Sequence, residues 1–303
     1  MIAYPESAHD ALRCTLAPTP ETRTVQIVAY VRIGTLNLWG NPHDRLERLE
    51  RTAHWMAVEG LDVLAVQEVA PHEGSTTATV LAEMSSYHHA TPVQDREGVL
   101  ASCAVLTRVE CAPGELLRLP GQNTEGGPVS AAVCWVETGG EALPVASVHL
   151  AWGSLNERLR LDQAKTLVSH FDDVLGASER EAPALLCGDL NAWPDSESVR
   201  YLRGRSAEAP ATMWTDAWER PLDPSDSGTT SSANNEYARF TALGMREGRD
   251  AVVDAGLLPD RRIDYIFSRG WRHGRIFSPV RTRVVRAPLM SDHYAVVSDL
   301  ILG

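Results

Sequence analysis

The sequence has no hydrophobic run long enough to cross a membrane as a helix, and it has no low-complexity tract. Residues 1–20 also lack the basic start and the apolar stretch of a secretory signal peptide. We therefore expect a cytoplasmic globular protein without a membrane partner. Its 303 residues, of which 44% are hydrophobic, are enough for one large domain with a core of ordinary size.

Paired cysteines are also missing. The five cysteines are spread along the chain and none belongs to a Cys-x-x-Cys pair, which argues against a zinc site. An odd number of cysteines without a secretion signal favours reduced thiols. Cys134 and Cys187 lie in apolar runs, so we expect them to be core residues.

Basic charge is scarce. The chain carries 28 Lys and Arg against 40 Asp and Glu, a net charge of −12, which argues against tight sequence-independent binding to a polyanion. A nucleic-acid substrate held locally through a metal is still compatible with this balance. Arginines crowd the last part of the chain, as either solvated strand and loop faces or a rim that faces phosphates. They are Arg261, Arg262, Arg269, Arg272, Arg275, Arg281, Arg283 and Arg286.

Strand patterns dominate from residue 25 onward. Apolar runs predict strands at residues 25–38, 61–69, 99–106, 129–136, 143–150, up to 189, 262–268, 280–285 and 294–302. Helical spacing predicts helices at residues 44–59 and 154–176 and a short helix after residues 194–196. The second helix has a predicted capping box at Ser154 and Glu157 and a stop at Gly176. Residues 221–238 are polar and predict a surface loop.

Few helices separate these strands, and no linker or repeat divides the chain. A doubly wound sheet would need a helix between nearly every pair of strands. The pattern therefore favours a single α+β domain, with one sheet packed on another and helices outside.

Several strand patterns end or begin in polar residues. These residues are Asn37, Glu68, His149, Asp189 with Asn191, and Asp292 with His293, and Asp264 lies inside a further strand pattern. Carboxylates and imidazoles at buried strand ends cost folding energy unless they are paired or bind a cation. A single one is more often a cap or a structural histidine, but the repetition of one pattern points to a site.

Six short segments together resemble the endonuclease/exonuclease/phosphatase superfamily, the DNase I-like metal-dependent phosphoesterases. They are residues 35–39 (TLNLW), 66–68 (VQE), 147–150 (SVHL), 188–194 (GDLNAWP), 262–266 (RIDYI) and 291–293 (SDH), in the order that the superfamily uses. The resemblance runs from about residue 25 to the C-terminus. It implies an N-terminal extension at residues 1–24 and a single catalytic domain at residues 25–303.

The resemblance implies a four-layer α/β-sandwich, in which two mainly antiparallel sheets lie face to face with helices outside. It also implies a hydrolase that cleaves a phosphoester with water and a divalent metal, usually Mg²⁺, with Mn²⁺ or Ca²⁺ as alternatives. On this basis Glu68 and Asp292 hold the metal. Asn37 either adds a carbonyl oxygen to the metal or orients the phosphate.

The same resemblance implies the catalytic roles. Asp189 accepts a proton from the attacking water, and Asn191 fixes that carboxylate or donates to the phosphate. His293 donates to a phosphoryl oxygen, where charge develops in the transition state, and Asp264 pairs with this histidine. His149 protonates the leaving oxygen or binds the phosphate, and the sequence does not reveal its carboxylate partner. A histidine there is similar to pancreatic-type deoxyribonucleases, sphingomyelinases and various phosphatases, whereas apurinic endonucleases commonly carry tyrosine.

Further residues are expected to bind the substrate: Trp39, Trp152, Trp193, Asn234 and Asn235. Each tryptophan follows a catalytic segment and is expected to stack on a base or an apolar group, with core packing as the rival interpretation. The two asparagines lie in the polar stretch after residue 221, which either lines the pocket or forms a mobile surface loop.

The substrate itself is decided by loops and not by the catalytic core. A small-molecule or metabolite phosphoester is slightly favoured by the acidic balance of the chain. A nuclease or DNA-repair phosphodiesterase is the alternative, supported by the C-terminal arginines. A non-catalytic binding module on the same fold is a remote alternative, because every recognised position holds a chemically competent residue. No protein partner can be inferred.

Overall fold

The computed structural model describes residues 29–122, 127–138, 141–175, 182–209, 213–244, 259–272 and 275–302. The predicted N-terminal extension, residues 1–24, therefore lies outside the described residues. The helices are α1 (Arg45–Glu59), α2 (Thr77–Ser85), α3 (Glu157–Leu175), α4 (Glu197–Leu202) and α5 (Glu236–Gly244). The strands are β1 (Ala29–Asn37), β2 (Val63–Gln67), β3 (Pro71–His72), β4 (Ser75–Thr76), β5 (His88–His89), β6 (Cys103–Thr107), β7 (Ala112–Gln122), β8 (Pro128–Thr138), β9 (Glu141–His149), β10 (Ala184–Asp189), β11 (Thr215–Asp216), β12 (Asp264–Arg269), β13 (Trp271–Arg272), β14 (Arg275–Val285) and β15 (Ala295–Leu302).

Two large sheets contain most of the strands. The order in the seven-stranded sheet is β13-β14-β15-β1-β2-β6-β5, and the order in the six-stranded sheet is β11-β12-β10-β9-β8-β7. Most neighbours are antiparallel, but β1 pairs with β2 and β9 pairs with β10 in parallel. The prediction of mainly antiparallel sheets is confirmed.

The two sheets pack face to face across an apolar core. Ile33, Val105, Val145, Leu185 and Ile266 belong to this core and come from both sheets. Fully burying such a side chain contributes about 1.5–3 kcal/mol. A second apolar cluster joins α1 and α2 to the outer face of the seven-stranded sheet, and a third joins α3 and α4 to the six-stranded sheet. The order helices, sheet, sheet, helices is the four-layer sandwich that the sequence predicted.

A polar bridge also crosses between the sheets. Gln67, the last residue of β2, donates from Nε2 to Ser147 Oγ of β9 at 2.9 Å, and that hydroxyl donates to the carbonyl oxygen of Val66 at 2.8 Å. All three groups are buried, so breaking the bridge would leave polar atoms without partners in the core. The bridge holds the two parallel strand pairs together near their carboxyl ends.

The start of α3 differs from the prediction. The helix begins at Glu157, three residues after Ser154. The Glu157 carboxylate accepts hydrogen bonds from the guanidinium of Arg160 at 2.8 Å and from the amide of Ser198 at 2.7 Å. The predicted capping box was wrong, because the ion pair and the neighbouring α4 take up the carboxylate that a capping box requires. The predicted stop at Gly176 lies outside the described residues.

The polar stretch at residues 221–238 was predicted as a surface loop, and for its second half this is wrong. Thr230 is fully buried, Asn235 is 1% exposed, and α5 begins at Glu236. The polar groups are satisfied inside the protein: Thr230 Oγ1 accepts from the amide of Asp264 at 3.3 Å, and Asn235 Nδ2 donates to the carbonyl of Ser291 at 2.9 Å. Composition alone does not distinguish such internally bonded loops from solvated ones.

The remaining differences concern the ends of elements and several elements that the sequence did not predict, including α5 and the two-residue strands. The strand β2 covers residues 63–67 and not 61–69, and β6 begins at Cys103 and not at residue 99. The helix α2 and the strand β7 were not predicted. Among the described residues, none of the helices combines the length and the apolar character needed to span a membrane.

Candidate active site

The topology brings the exits of four strands to one edge of the sandwich. Because β1 and β2 run in parallel, Asn37 at the end of β1 lies beside Gln67, which directly precedes Glu68. In the other sheet β9 and β10 are parallel in the same way, and His149 pairs in register with Asp189. The polar bridge between β2 and β9 keeps the two pairs of exits together.

Two strands enter at the same edge. The strand β12 is antiparallel to β10, so its first residue, Asp264, pairs with Asp189. The strand β15 is antiparallel to β1, with Val296 paired to Thr35, and it begins two residues after His293. All the strand-end residues predicted for the site are therefore delivered to one edge by strand direction alone.

The carboxylate of Asp189 lies at the centre of the cluster and is 1% exposed. Its Oδ1 accepts a hydrogen bond from the backbone N–H of Asn191 at 2.8 Å, and its Oδ2 accepts one from Asn37 Nδ2 at 3.1 Å. The Nε2 atoms of His149 and His293 lie 3.5 and 3.9 Å from the same Oδ2. Asp189 is thus the carboxylate that faces His149, and it is positioned to exchange protons with groups on both sides.

His293 is held between two carboxylates. Its Nδ1 lies 2.9 Å from Asp264 Oδ2, and its Nε2 faces Asp189. Burial lowers the pKa of the His293 imidazole, but the negative charges of Asp264 and Asp189 outweigh burial and raise this pKa well above its ordinary value. The raised pKa favours the protonated ring, whose Nε2 side faces into the site.

Glu68 and Asn37 form a second hydrogen-bonded unit. Glu68 Oε1 accepts from Asn37 Nδ2 at 2.9 Å, and its Oε2 accepts from the amide of Gly40 at 2.9 Å. The Asn37 side-chain oxygen is occupied by the amide of Trp39 at 2.9 Å, which sets the orientation of the Asn37 amide. Asn37 therefore presents its N–H groups to Glu68 and Asp189, an arrangement that suits the positioning of these two carboxylates better than metal binding.

Asp292 is 8% exposed and is fixed from two sides. Its Oδ2 accepts from Thr241 Oγ1 of α5 at 2.9 Å, and its Oδ1 lies 3.2 Å from Ser291 Oγ. Burial raises the pKa of the Asp292 carboxyl to about 6, and the negative charge of Glu68 acts in the same direction while His293 opposes it.

The donor set at Glu68 and Asp292 fits a divalent cation. Both residues offer carboxylate oxygens, the ligands that Mg²⁺ and Ca²⁺ prefer. Burial and the negative charge of Glu68 raise the pKa of Asp292, and a bound cation would favour the ionised carboxylate.

Donor atoms of Asp189, Asp264 and His293 also lie within 4.8 Å of one another. In that cluster the charges of Asp264 and Asp189 raise the pKa of His293 and so favour the protonated ring, which does not bind a cation. The cluster is therefore better suited to proton transfer than to metal binding.

Backbone strain is concentrated at the same strand exits. Trp39, Glu68 and Asn191 have φ angles of 53°, 51° and 49°, in the left-handed region that side-chain-bearing residues rarely adopt. Each such residue costs on the order of 1–3 kcal/mol. The sharp turns let the amides of Trp39 and Asn191 fold back onto Asn37 and Asp189, respectively. Strain that positions these side chains supports a functional role for them.

The residues predicted to bind substrate fall into two groups. Trp39 is 4% exposed and packs against the Tyr237 ring at 5.1 Å between centroids, with the Arg48 guanidinium 4.7 Å from its own ring. Trp152 and Trp193, in the loops that follow β9 and β10, are 57% and 44% exposed. Packing thus accounts for Trp39, whereas stacking on a substrate stays a prediction for the other two.

The two asparagines also differ. Asn234 is exposed, whereas Asn235 is buried with both ends of its amide in use, Nδ2 on the Ser291 carbonyl and Oδ1 accepting from the amide of Tyr237 at 3.0 Å. Asn235 therefore supports the segment that carries Asp292 and does not face a ligand.

Sequence reasoning missed two supporting residues. Thr241 of α5 holds the Asp292 carboxylate, and Arg48 of α1 donates to the carbonyls of Leu38 at 2.6 Å and Trp39 at 3.2 Å, fixing the turn after β1. The helical pattern of α1 placed Arg48 on a helix, but nothing local in the sequence connects Thr241 with a carboxylate 51 residues away.

Known proteins resemble this chain in sequence and in structure. Residues 34–293 match the model of the Endonuclease/Exonuclease/phosphatase family. The chain is 26% identical over 93 residues to Protein angel of Drosophila melanogaster, a match that spans 31% of this chain and 25% of that protein.

Two solved structures show the same fold. One is D. rerio TDP2 complexed with a single strand DNA product, at a TM-score of 0.64 and 15% identity over 89% of this chain and 98% of that chain. The other is an endonuclease/exonuclease/phosphatase from Beutenbergia cavernae DSM 12333, at a TM-score of 0.58 and 23% identity over 91% of this chain and 72% of that chain. Because the family model covers most of the chain, from β1 to His293, the protein belongs to the Endonuclease/Exonuclease/phosphatase family, whose members are phosphoric ester hydrolases.

Proposed function

We propose that this protein hydrolyses a small phosphoester with the help of a divalent cation, with Asp189 as the base for the attacking water. The observation that carries the proposal is the convergence on Asp189 Oδ2 of Asn37, His149 and His293, at 3.1, 3.5 and 3.9 Å. A buried carboxylate that faces an amide and two imidazoles can take up a proton and pass it on.

The other residues of the site have separate roles in the reaction. Protonated His293, held at Nδ1 by Asp264, donates from Nε2 to a phosphoryl oxygen as negative charge develops there. His149 is the second imidazole beside Asp189, and it supplies a proton to the leaving oxygen. Asn37, whose N–H groups donate to Glu68 and Asp189, holds these two carboxylates in place. Glu68 and Asp292 would hold Mg²⁺, which would supply Lewis-acid polarisation of the phosphoryl group and charge neutralisation.

Charge pairing supports a small substrate over a long polyanion. Most arginines of the C-terminal group are engaged by carboxylates: Arg262 by Asp216, Arg269 by Asp172, Arg281 by Asp299, Arg283 by Glu59 and Arg286 by Asp226. Guanidinium groups already neutralised in this way attract phosphates weakly. With a net charge of −12, the protein gains little from a long nucleic acid beyond the reacting phosphate.

A nuclease is the second candidate. The similar fold of D. rerio TDP2 was determined in complex with a single strand DNA product, which is a property of that protein. In this chain the exposed rings of Trp152 and Trp193 offer stacking surfaces of the kind that bind single-stranded bases. Exchanging both for Ala would raise the Michaelis constant for an oligonucleotide but not for p-nitrophenyl phosphate if they serve this purpose.

The test is a substrate panel measured with Mg²⁺ and with a chelator. The panel includes bis-p-nitrophenyl phosphate, p-nitrophenyl phosphate, sugar and inositol phosphates, nucleotides, a single-stranded oligonucleotide, plasmid DNA and an abasic duplex. We expect metal-dependent turnover that is faster on at least one small phosphoester than on any nucleic acid. Faster turnover on DNA would establish the nuclease instead, and turnover unaffected by the chelator would reject the metal.

Variants of the central carboxylate test the mechanism on whichever substrate is turned over. Asp189→Asn should lower kcat at least about 100-fold without changing the melting temperature, since the amide cannot accept the proton. Asp173→Asn, an exposed position on α3, is the matched control and should leave kcat unchanged. Near-normal kcat in Asp189→Asn would remove this residue from the mechanism.

Glu68→Gln should weaken Mg²⁺ binding in a titration.

A further inference from the structure

Two cysteines contact each other at the end of the sandwich remote from the candidate active site. Cys111 follows β6, and Cys134 lies in β8 with its side chain fully buried between the sheets. Because Ala112 pairs with Trp135, the residues directly before them, Cys111 and Cys134, lie diagonally on the same face, and Cys111 packs against the inner core that contains Cys134. The strand β6 separates this pair from the site, because Thr107 at its far end contacts Cys111 while Cys103 at its near end pairs with Gln67.

An irregularity in the six-stranded sheet brings the two thiols together. The register of β7 against β8 shifts between Ala112 and Glu115, which places one extra residue in β7. Gly114 lies in this bulge, and a Cβ there would be 2.2 Å from the carbonyl oxygen of Val133 and 3.1 Å from Cys134 Cβ. The absence of a side chain at Gly114 thus lets the start of β7 close onto Cys134.

The two thiols differ in access to solvent. Cys111 is partly exposed and lines a cleft of about 320 Å³, together with His88, Glu110 and Pro113. Cys134 has no exposed surface, so a reagent in the cleft reaches it only through Cys111.

They also differ in acidity. The hydrogen bond from Cys134 lowers the pKa of the Cys111 thiol to about 6, helped by Thr107 and His88 and opposed by burial and by the charge of Glu110. The same hydrogen bond raises the pKa of Cys134, with burial adding to it. At neutral pH the pair is therefore one accessible thiolate that accepts a hydrogen bond from one buried thiol.

We propose that Cys111 and Cys134 form a peroxide-reactive thiol pair, in which Cys111 is oxidised first and Cys134 resolves it to a disulfide. The Cys111 thiolate attacks one oxygen of hydrogen peroxide, so that an S–O bond forms, the O–O bond breaks and hydroxide leaves as water after taking up a proton. Cys111 is then a sulfenic acid. The Cys134 thiol loses its proton and attacks the Cys111 sulfur, so that the S–S bond forms, the S–O bond breaks and a second water leaves. The two sulfurs lose two electrons in total, and the peroxide gains them.

Three other cysteines provide comparison. Cys103 and Cys187 are buried, and burial raises their thiol pKa values, that of Cys103 to about 12. Neither should react with peroxide while the protein is folded. Cys14 lies outside the described residues, so the experiments are best made in full-length protein carrying Cys14→Ser, in which its thiol cannot compete.

The first experiment is alkylation with iodoacetamide as a function of pH, followed by peptide mass spectrometry. At pH 6.5 Cys111 should be labelled at least about tenfold faster than Cys103 or Cys187, because the thiolate is the reactive form. In Cys134→Ala the half-maximal pH for Cys111 should rise by about one unit or more, and in Cys134→Ser, which keeps a donor, it should rise less. Equal labelling of all the cysteines, or a midpoint that Cys134→Ala leaves unchanged, would overturn the proposal.

The second experiment is treatment with hydrogen peroxide. We expect two free thiols to disappear and a peptide joining Cys111 to Cys134 to form, reversed by dithiothreitol. In Cys134→Ala the reaction should stop at the Cys111 sulfenic acid, trapped by dimedone, and Cys111→Ser should lose no thiols. Melting curves check that both variants fold. Sulfenic or sulfinic acid on Cys111 of the protein with Cys134 present, without the linked peptide, would reject Cys134 as the resolving residue.

Discussion

At the scale of single residues, four acidic side chains share one edge of the sandwich, three of them buried, and each depends on what surrounds it. Asp189 faces an amide and two imidazoles, Asp264 holds an imidazole, and Glu68 lies in the charge environment of Asp292. Carboxylates are chemically alike, so the neighbouring groups decide which role each one has. These differences can be tested one residue at a time.

The pair of His293 and Asp264 predicts a shift in the pH dependence. The charge of Asp264 helps to raise the pKa of His293, so Asp264→Asn should lower that pKa. If His293 acts in its protonated form, the alkaline limb of the kcat profile moves to lower pH, and kcat at neutral pH falls at least about 100-fold. Asp173→Asn is the control. If the alkaline limb of the kcat profile stayed in place, Asp264 would not be raising the pKa of His293.

Asp292 predicts an effect on stability in the absence of metal. Its folded-state pKa of about 6 is raised above the unfolded value of about 3.9. The stabilising contribution of the protonated form is therefore present at low pH and is lost as pH rises through about 6. Asp292→Asn removes the charge and should stabilise the chelator-treated protein by about 2–3 kcal/mol at pH 7.5, measured by urea unfolding.

The same variant should lose the stabilisation that Mg²⁺ gives the protein. In the parent protein this Mg²⁺ effect should be larger at pH 7.5 than at pH 5, since a protonated carboxyl binds cations poorly. A Mg²⁺ effect that persists in Asp292→Asn would place the cation elsewhere.

At the scale of elements, the site depends on how closely β10 approaches β9. Gly188, directly before Asp189, has a φ of 148°, and a Cβ there would lie 2.0 Å from the carbonyl oxygen of Val148. Only glycine permits this approach, which sets His149 beside Asp189 in the sheet. The glycine of the segment 188–191 is thus required by strand packing and not by a contact with substrate.

Gly188→Ala should therefore destabilise the protein by roughly 3 kcal/mol or more and lower kcat as the two strands separate. Gly98→Ala is a matched control, because its φ of 80° is also positive but nothing lies within 4 Å of its Cβ position. The control should cost only about 1 kcal/mol and leave kcat unchanged. Equal losses of stability in both variants would show that backbone conformation, and not the close contact, decides the effect.

At the scale of the whole molecule, net charge and arginine pairing predict a shallow dependence on salt. A substrate that meets the protein through one or two phosphates should lose affinity with a logarithmic slope of roughly −1 to −2 against salt concentration. The measurement is the Michaelis constant of the best small phosphoester and of an oligonucleotide between low and high NaCl. A slope steeper than about −4 for the oligonucleotide, together with better turnover, would favour the nuclease.

The sequence predicted the architecture and the residues of the candidate site. Apolar runs with few helices between them predicted packed sheets, and polar residues at strand ends marked Asp189, Asp292 and their companions before any contact was known. These features are local, because a strand pattern and the residue that ends it are adjacent in the chain. The ends of elements, the α3 cap and the burial of residues 228–232 were harder to predict, since each depends on a competing contact from elsewhere in the molecule.

Only the tertiary structure decided which groups face one another. Asn37 and Asp189 are 152 residues apart, and the partner of His149 became visible only when two parallel strands aligned it with Asp189. The proximity of Cys111 and Cys134 likewise depends on the register of β7 against β8, which includes a bulge that the sequence pattern does not reveal. Hydrogen bonding and pKa depend on distances of a few ångströms between residues remote in the chain, and folding alone sets these distances.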